Sequence, residues 1–166
     1  MNINFAILAL AAIVPLLIGF IWYHPKVMGS AWMTASNLTE EQLKGANMLK
    51  IFSITYLLSF LAAMSIQFMV IHQYSVYSVL ANEPGINDPT SPIGMYFADF
   101  MQKYGSNFRT FKHGLLHGTL TGVFLVIPII GITAMFERKG FKYIAINAGY
   151  WIISFMLMGG IICAFA

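Results

Sequence analysis

The chain has 166 residues, enough for one domain, of which 58% are hydrophobic and only 9% charged. A soluble domain carries roughly 25% charged residues, so this composition leaves too little polar surface to face water and points to the bilayer as solvent. The net charge of +3 is too small to suggest a nucleic-acid partner, and the single cysteine, Cys163, excludes an intrachain disulfide.

The placement of charge says more than its amount. No Asp, Glu, Lys or Arg occurs between Met1 and Pro25, between Lys50 and Glu83, between Lys112 and Glu137, or between Lys142 and Ala166. A charge at the centre of a membrane helix costs about 2.5–3.5 kcal/mol, and a spanning helix needs about 20 apolar residues. Four stretches meet that requirement, at Phe5–Tyr23, Ile51–His72, His113–Phe136 and Tyr143–Ala166. A soluble bundle would show a polar stripe at helical spacing, whereas Leu49–Val70 and Leu115–Met135 are apolar on most sides. The fold class expected is therefore all-α. It is a single transmembrane domain over residues 1–166, an integral membrane four-helix bundle crossing the bilayer several times.

The first helix opens without a basic n-region, so no cleaved signal peptide is expected. It ends on Trp22 and Tyr23, an aromatic pair suited to the headgroup level, and Pro25 stops it. Trp32 is expected to return to the same interface in a re-entrant or surface-lying segment. In this connection Thr39 reads as an N-cap with Gln42 three residues on, predicting a short helix near Glu40–Lys44. The second helix carries Ser53, Thr55, Ser59 and Gln67 as candidate polar contacts between helices.

The connection between the second and third helices, residues 73–112, is the largest part outside the membrane. Asn82–Pro92 is dense in turn formers and reads as irregular. Ser91-Pro92 caps a short interfacial helix, whose stretch Met95–Tyr104 sets Tyr96, Phe97, Phe100 and Tyr104 against Asp99, Gln102 and Lys103.

The third helix holds the densest pattern. Gly114, Gly118 and Gly122 are spaced by four and fall on one face, the packing logic of closely approaching helices. His113 and His117 sit one position before the first two glycines, where i, i+4 spacing lets both imidazoles reach one metal ion. His72 closes the second helix at the same membrane level, so three imidazoles converge on one side. Zinc or copper suits such a set, and a bis-histidine haem would need His72 with one of the pair. The structural alternative is interfacial histidines bonded to backbone, water or headgroups, and on that reading no cofactor is expected. Pro128 with Gly131 should kink this helix. In the fourth helix Asn147 is the most polar side chain and seeks an interhelical partner, with Gly149 following as a packing position.

These residues carry a resemblance to a family. Gly19-Phe20-Ile21-Trp22-Tyr23-His24-Pro25 with Gly29 and Ala31-Trp32-Met33, the following Leu38-Thr39-Glu40-Glu41, and then Asn147-Ala148-Gly149-Tyr150-Trp151 with Met158-Gly159 are similar to the domain of unknown function 1761 family. The resemblance implies a small bacterial membrane protein of four helices and no particular activity. On it, Trp22, Tyr23, Pro25, Trp32, Tyr150 and Trp151 are family-like residues as well as interface anchors, and the space beside Trp22, Trp32 and Trp151 is where a small ligand would be sought. The long connection is an elaboration on the family pattern, and His113 and His117 belong to none of its motifs.

Six Lys and Arg residues in the first and third connections against three in the second place both termini outside the bacterial cytoplasmic (inner) membrane. The partners expected are the lipid bilayer, a second copy or a larger membrane complex. A chain rich in packing motifs, with no acidic residue inside a helix and no P-loop, HExxH or nucleophile elbow, reads first as a structural or accessory subunit rather than an enzyme. A metal- or haem-binding protein and a pore or carrier for a small neutral solute are the other two readings.

Overall fold

The computed structural model describes residues 2–166, which form helices and connections with no strand among them. Four helical stretches are long and apolar enough to cross a membrane: Phe5–Trp22, Met48–Val70, Phe111–Phe136 and Phe141–Phe165. Every acidic residue lies outside them.

The first stretch is two helices, α1 (Phe5–Ala11) and α2 (Val14–Trp22), broken at Ala12 and Ile13. The apolar run predicts a single helix here, and the structure divides it. The cause of the break is Pro15, which has no N–H to return to the Ala11 carbonyl. The Ile13 N–H bonds to Leu10 O (3.1 Å), and the Tyr56 hydroxyl donates to Ala9 O (3.2 Å) from the neighbouring helix. After Tyr23 a π-helical turn, Pro25–Gly29, leads into α3 (Ser30–Ser36), which carries Trp32. The capping box expected at Thr39 is present and opens α4 (Glu40–Leu43).

Next, α5 (Met48–Val70) starts three residues earlier than expected, because the Asn47 side chain accepts the Lys50 N–H (3.0 Å). It also ends earlier, at Val70, so His72 lies beyond it at the head of α6 (Gln73–Leu80). That helix was not expected: its eight residues, Gln-Tyr-Ser-Val-Tyr-Ser-Val-Leu, are too few for a helical period to stand out. The turn region follows, where the Thr90 hydroxyl (2.7 Å) and N–H (2.9 Å) bond Asp88 and hold its carboxyl below the usual range. Ser91 then caps α7 (Pro92–Tyr104), its Oγ accepting the Gly94 N–H (3.0 Å).

Finally come α8 (Phe111–Thr121), a π-helical turn at Gly122–Val126, α9 (Ile127–Phe136) and α10 (Phe141–Phe165). The interruption expected at Pro128 falls in the turn before it, where the widened backbone accommodates the proline ring. The most enclosed of the four stretches is α10, which touches α1, α2, α5, α8 and α9. At the centre Leu8, Ala63, Ile66, Met158, Ile162 and Cys163 are at most 1% exposed. Ser59 and Gln67 are the buried polar side chains of the same helix, α5.

Candidate metal centre

The geometry of the histidine face begins with the glycines. A Cβ on Gly114 would collide with the Gly159 carbonyl, one on Gly118 with the Phe155 carbonyl, and one on Gly122 would lie 2.8 Å from Ile152 Cα. The glycine row of α8 is therefore pressed against the backbone of α10 within the same chain. A surface consumed internally is not free for a second copy.

One residue earlier on the helix, about 100° round it, the row His113, His117, Thr121 is turned toward the end of α5. Thr110 caps α8 by accepting the His113 N–H (3.2 Å), which sets where this row starts. Thr121 bonds the His117 carbonyl (2.8 Å) and reaches the Met69 sulfur of α5 (3.3 Å).

His72 completes the group from the junction of α5 and α6. Its Nε2 lies 2.9 Å from His113 Nε2, and the ring centroids are 5.0 Å (His72–His113), 4.7 Å (His72–His117) and 4.4 Å (His113–His117) apart. One ligand nitrogen from each falls within 4.8 Å of the others. A tetrahedral ion with metal–nitrogen bonds of about 2.0–2.1 Å holds its ligand atoms roughly 3.3 Å apart, so the three fit such an ion after small side-chain rotations. No carboxylate or thiolate joins the cluster among the described residues. The Phe108 ring packs 5.2 Å from His113, and a cleft of about 300 Å³ between α6 and α7 opens beside His72, lined also by Phe100, Tyr104 and Asn107. His24, at the other end of α5, takes no part and lies near Met48.

The sequence reading missed the groups that brace this face. Gln73 Nε2 donates to Tyr104 O (3.3 Å) and Asn107 O (2.9 Å), which ties α6 to the chain entering α8. Arg109 Nε donates to Cys163 O (2.9 Å), and its Nη2 to Ala166 O, so the end of α10 is clamped from the same connection. The Cys163 thiol lies within bonding distance of Val70 O (3.3 Å) and Phe108 O (3.2 Å). The only signal available was the position of Arg109 close to a helix end, where it counted as a topology charge.

A second assembly forms at the opposite ends of α5 and α10. Trp22 Nε1 donates to Ile146 O (3.1 Å), and the indole lies over Gly149, where a Cβ would stand 3.2 Å from the ring. The Tyr23 hydroxyl donates to Asn147 Oδ1 (3.1 Å), Asn147 Nδ2 donates to Tyr143 O (2.8 Å), and the Tyr150 hydroxyl donates to Pro15 O (3.0 Å). Tyr23 packs 5.3 Å from Trp32 and 5.2 Å from Tyr150. Residues more than 120 positions apart are thus joined at one interface, with Pro25 turning the chain between Tyr23 and Trp32. Trp151 faces away, into a separate groove with Ile129 and Thr133. By contrast, the interhelical bonds sought from Ser59 and Gln67 are not formed: both side chains are fully buried, and Ser59 Oγ, Gln67 Nε2 and Gln67 Oε1 have no partner.

Among protein families, the model described as "Protein of unknown function (DUF1761)" matches residues 6–163 and so takes in both assemblies. Comparison with curated proteins and with solved structures finds no match.

Proposed function

The chain belongs to the family described as "Protein of unknown function (DUF1761)", which brings no activity with it, and we propose that it is an integral membrane protein that binds one zinc or copper ion through His72, His113 and His117. The observation that carries this reading is the convergence of three imidazole nitrogens within 4.8 Å, from two separate elements, with no carboxylate to account for them as ion pairs. In the neutral form the lone pairs of these rings can be shared by one cation, and neutral imidazole favours zinc and copper over hard cations. A fourth coordination position is left for water or an external donor, with the neighbouring cleft as its access.

Haem is not the group proposed. Two axial imidazoles must face one another across a macrocycle, and the 2.9 Å between His72 and His113 leaves no room for one. With the positive-inside bias, the metal faces the outer side of a bacterial cytoplasmic membrane.

The test is elemental analysis and metal titration on protein purified in mild detergent. One ion per chain is expected in the wild type. His113→Ala should cost more than the about 10–100-fold typical of outer-shell partners, and His113→Ala/His117→Ala should abolish binding. Acidification should release the ion, since protons compete for the same nitrogens. A protein that takes up neither zinc nor copper at neutral pH would overturn the reading, as would a double variant that binds like the wild type.

A further inference from the structure

A cleft of about 580 Å³ lies at the opposite end of α5 from the clustered histidines, within the range of about 300–1,000 Å³ usual for small-molecule sites. Gly19 and Phe20 on α2 line one side of it. Met48, Ile51, Phe52 and Thr55, at helical intervals of three and four on α5, line the other. Tyr150 of α10 lines it as well, and Tyr23, His24 and Trp32 come from the end where α2 runs into the first connection. Phe20 is 79% exposed and Phe52 50%, so the cleft opens sideways onto the flank that the helices offer to acyl chains.

Three side-chain donors among its lining residues have no partner among the described residues. The first is Thr55. The helical threonines Thr34, Thr119, Thr121 and Thr133 each donate to the carbonyl four residues back, the usual local outlet for such a hydroxyl, and Thr55 makes no such bond. The second is Trp32. Trp22 Nε1 is bonded to Ile146 O, but Trp32 Nε1 has no acceptor, and of the three tryptophans beside which a ligand was sought only Trp32 lines this cleft. The third is His24. Its Nδ1 accepts the Lys26 N–H (3.2 Å), so the neutral ring carries its proton on Nε2, which is free to donate. The Tyr23 and Tyr150 hydroxyls are already spent on Asn147 and Pro15. No Asp, Glu, Lys or Arg is among the lining residues. The cleft therefore matches neither an anion nor a cation. It matches a neutral apolar molecule that carries hydrogen-bond acceptors.

The donors are also spaced. Thr55 stands two turns beyond Met48, about 10 Å along the axis of α5, whereas His24 and Trp32 belong to the Met48 end. A para-quinone ring hydrogen-bonded at both carbonyls spans about 11 Å from donor to donor, with bonds of about 2.9 Å each. We infer that this cleft binds one membrane-soluble quinone, with one carbonyl accepting from Thr55 and the other from Trp32 and His24. Phe20, Phe52 and Tyr23 supply aromatic surface for the ring, and the tail leaves through the lateral opening into the acyl chains. The indole and the imidazole Nε2–H only donate, so the oxidised quinone is favoured over its quinol, whose hydroxyls would meet donors. Gly19 keeps the slot open: a Cβ there would make ordinary contact with Tyr150 at 3.5 Å, so a longer side chain extends into the ring's place without displacing backbone.

Titration of the metal-free full chain in nanodiscs with decylubiquinone, followed by tryptophan fluorescence, tests this and does not depend on the histidine cluster. Quenching that saturates at one quinone per chain is expected, above the linear quenching of empty nanodiscs. The quinol, kept reduced under argon, and decylbenzene, which has no acceptor, should each compete at least tenfold more weakly than the quinone, because a donor left unpaired in a dry site is costly. Thr55→Val, which keeps the shape and removes the hydroxyl, should weaken binding about tenfold, and Gly19→Leu should abolish the saturable component. Circular dichroism and gel filtration identify the variants that remain folded. A wild type without a saturable component would overturn the proposal. So would decylbenzene or the quinol competing as well as the quinone, or a folded Thr55→Val chain with wild-type affinity.

Discussion

Gly118→Ala isolates the link between helix packing and the histidine cluster. The added Cβ would lie 2.7 Å from the Phe155 carbonyl carbon and 2.9 Å from Met156 Cα, both backbone atoms that cannot swing aside, whereas ordinary contact begins at 3.4 Å. Relieving these contacts, and the still closer one to the Phe155 carbonyl oxygen, requires α8 to move away from α10 by more than about 0.7 Å. Overpacking of this kind costs about 1–3 kcal/mol. The same displacement reaches the metal ligands, because His117 directly precedes Gly118 and His113 lies one turn away. Metal sites tolerate about 0.2 Å of distance error, so a loss of about 10–100-fold in affinity is expected, comparable to removal of an outer-shell partner. Thermal melting in detergent reads the first effect, and zinc or copper titration reads the second. Gly131→Ala is the control: nothing lies within 4 Å of its Cβ position, and Ala is favoured over Gly in a helix interior by about 1 kcal/mol. A Gly118→Ala protein that melts and binds metal like the wild type would refute the packing argument. One that melts lower but binds metal unchanged would show that the glycine seam does not position the imidazoles.

Two further outcomes follow from named contacts. A double-mutant cycle on Tyr23→Phe and Asn147→Leu should return a coupling of about 0.6–1.7 kcal/mol, the range for hydrogen bonds between membrane helices; a coupling of zero by thermal unfolding would mean that the 3.1 Å contact contributes nothing. Gln67→Leu should raise the melting temperature, because a buried amide without partners costs about 1–3 kcal/mol and both of its polar atoms are unpaired. A lower melting temperature would reveal that the amide is satisfied, for instance by an ordered water.

The four apolar stretches were legible in the sequence because a charge inside a membrane helix is so costly that its absence marks each one. Caps were legible where side chain and spacing coincide, as at Thr39–Gln42 and Ser91–Gly94. The break at Ala12–Ile13 and the π-helical turn before Pro128 were less so, since a proline announces a disturbance but the neighbouring packing decides which residues absorb it. Helix α6 was hidden by its shortness, eight residues in which no helical period stands out. Its helical form depends on contacts with distant residues, including the bonds from Gln73 to Tyr104 and Asn107, which no local pattern encodes.

The same distinction explains the histidines. The i, i+4 spacing on α8 specifies that His113 and His117 share a face, but it does not specify what that face meets. That is settled by the adjacent glycine row, which presses one side of α8 onto α10 and so turns the next side toward α5. It is settled equally by the early end of α5 at Val70, which frees His72 from its helix and lets the ring swing to 2.9 Å from His113. Had α5 continued through His72 as the apolar run suggested, the direction of that ring would have been set by the helix rather than by the junction. The convergence depends on two features that apolarity alone does not register, a break between two helices and a row of missing side chains.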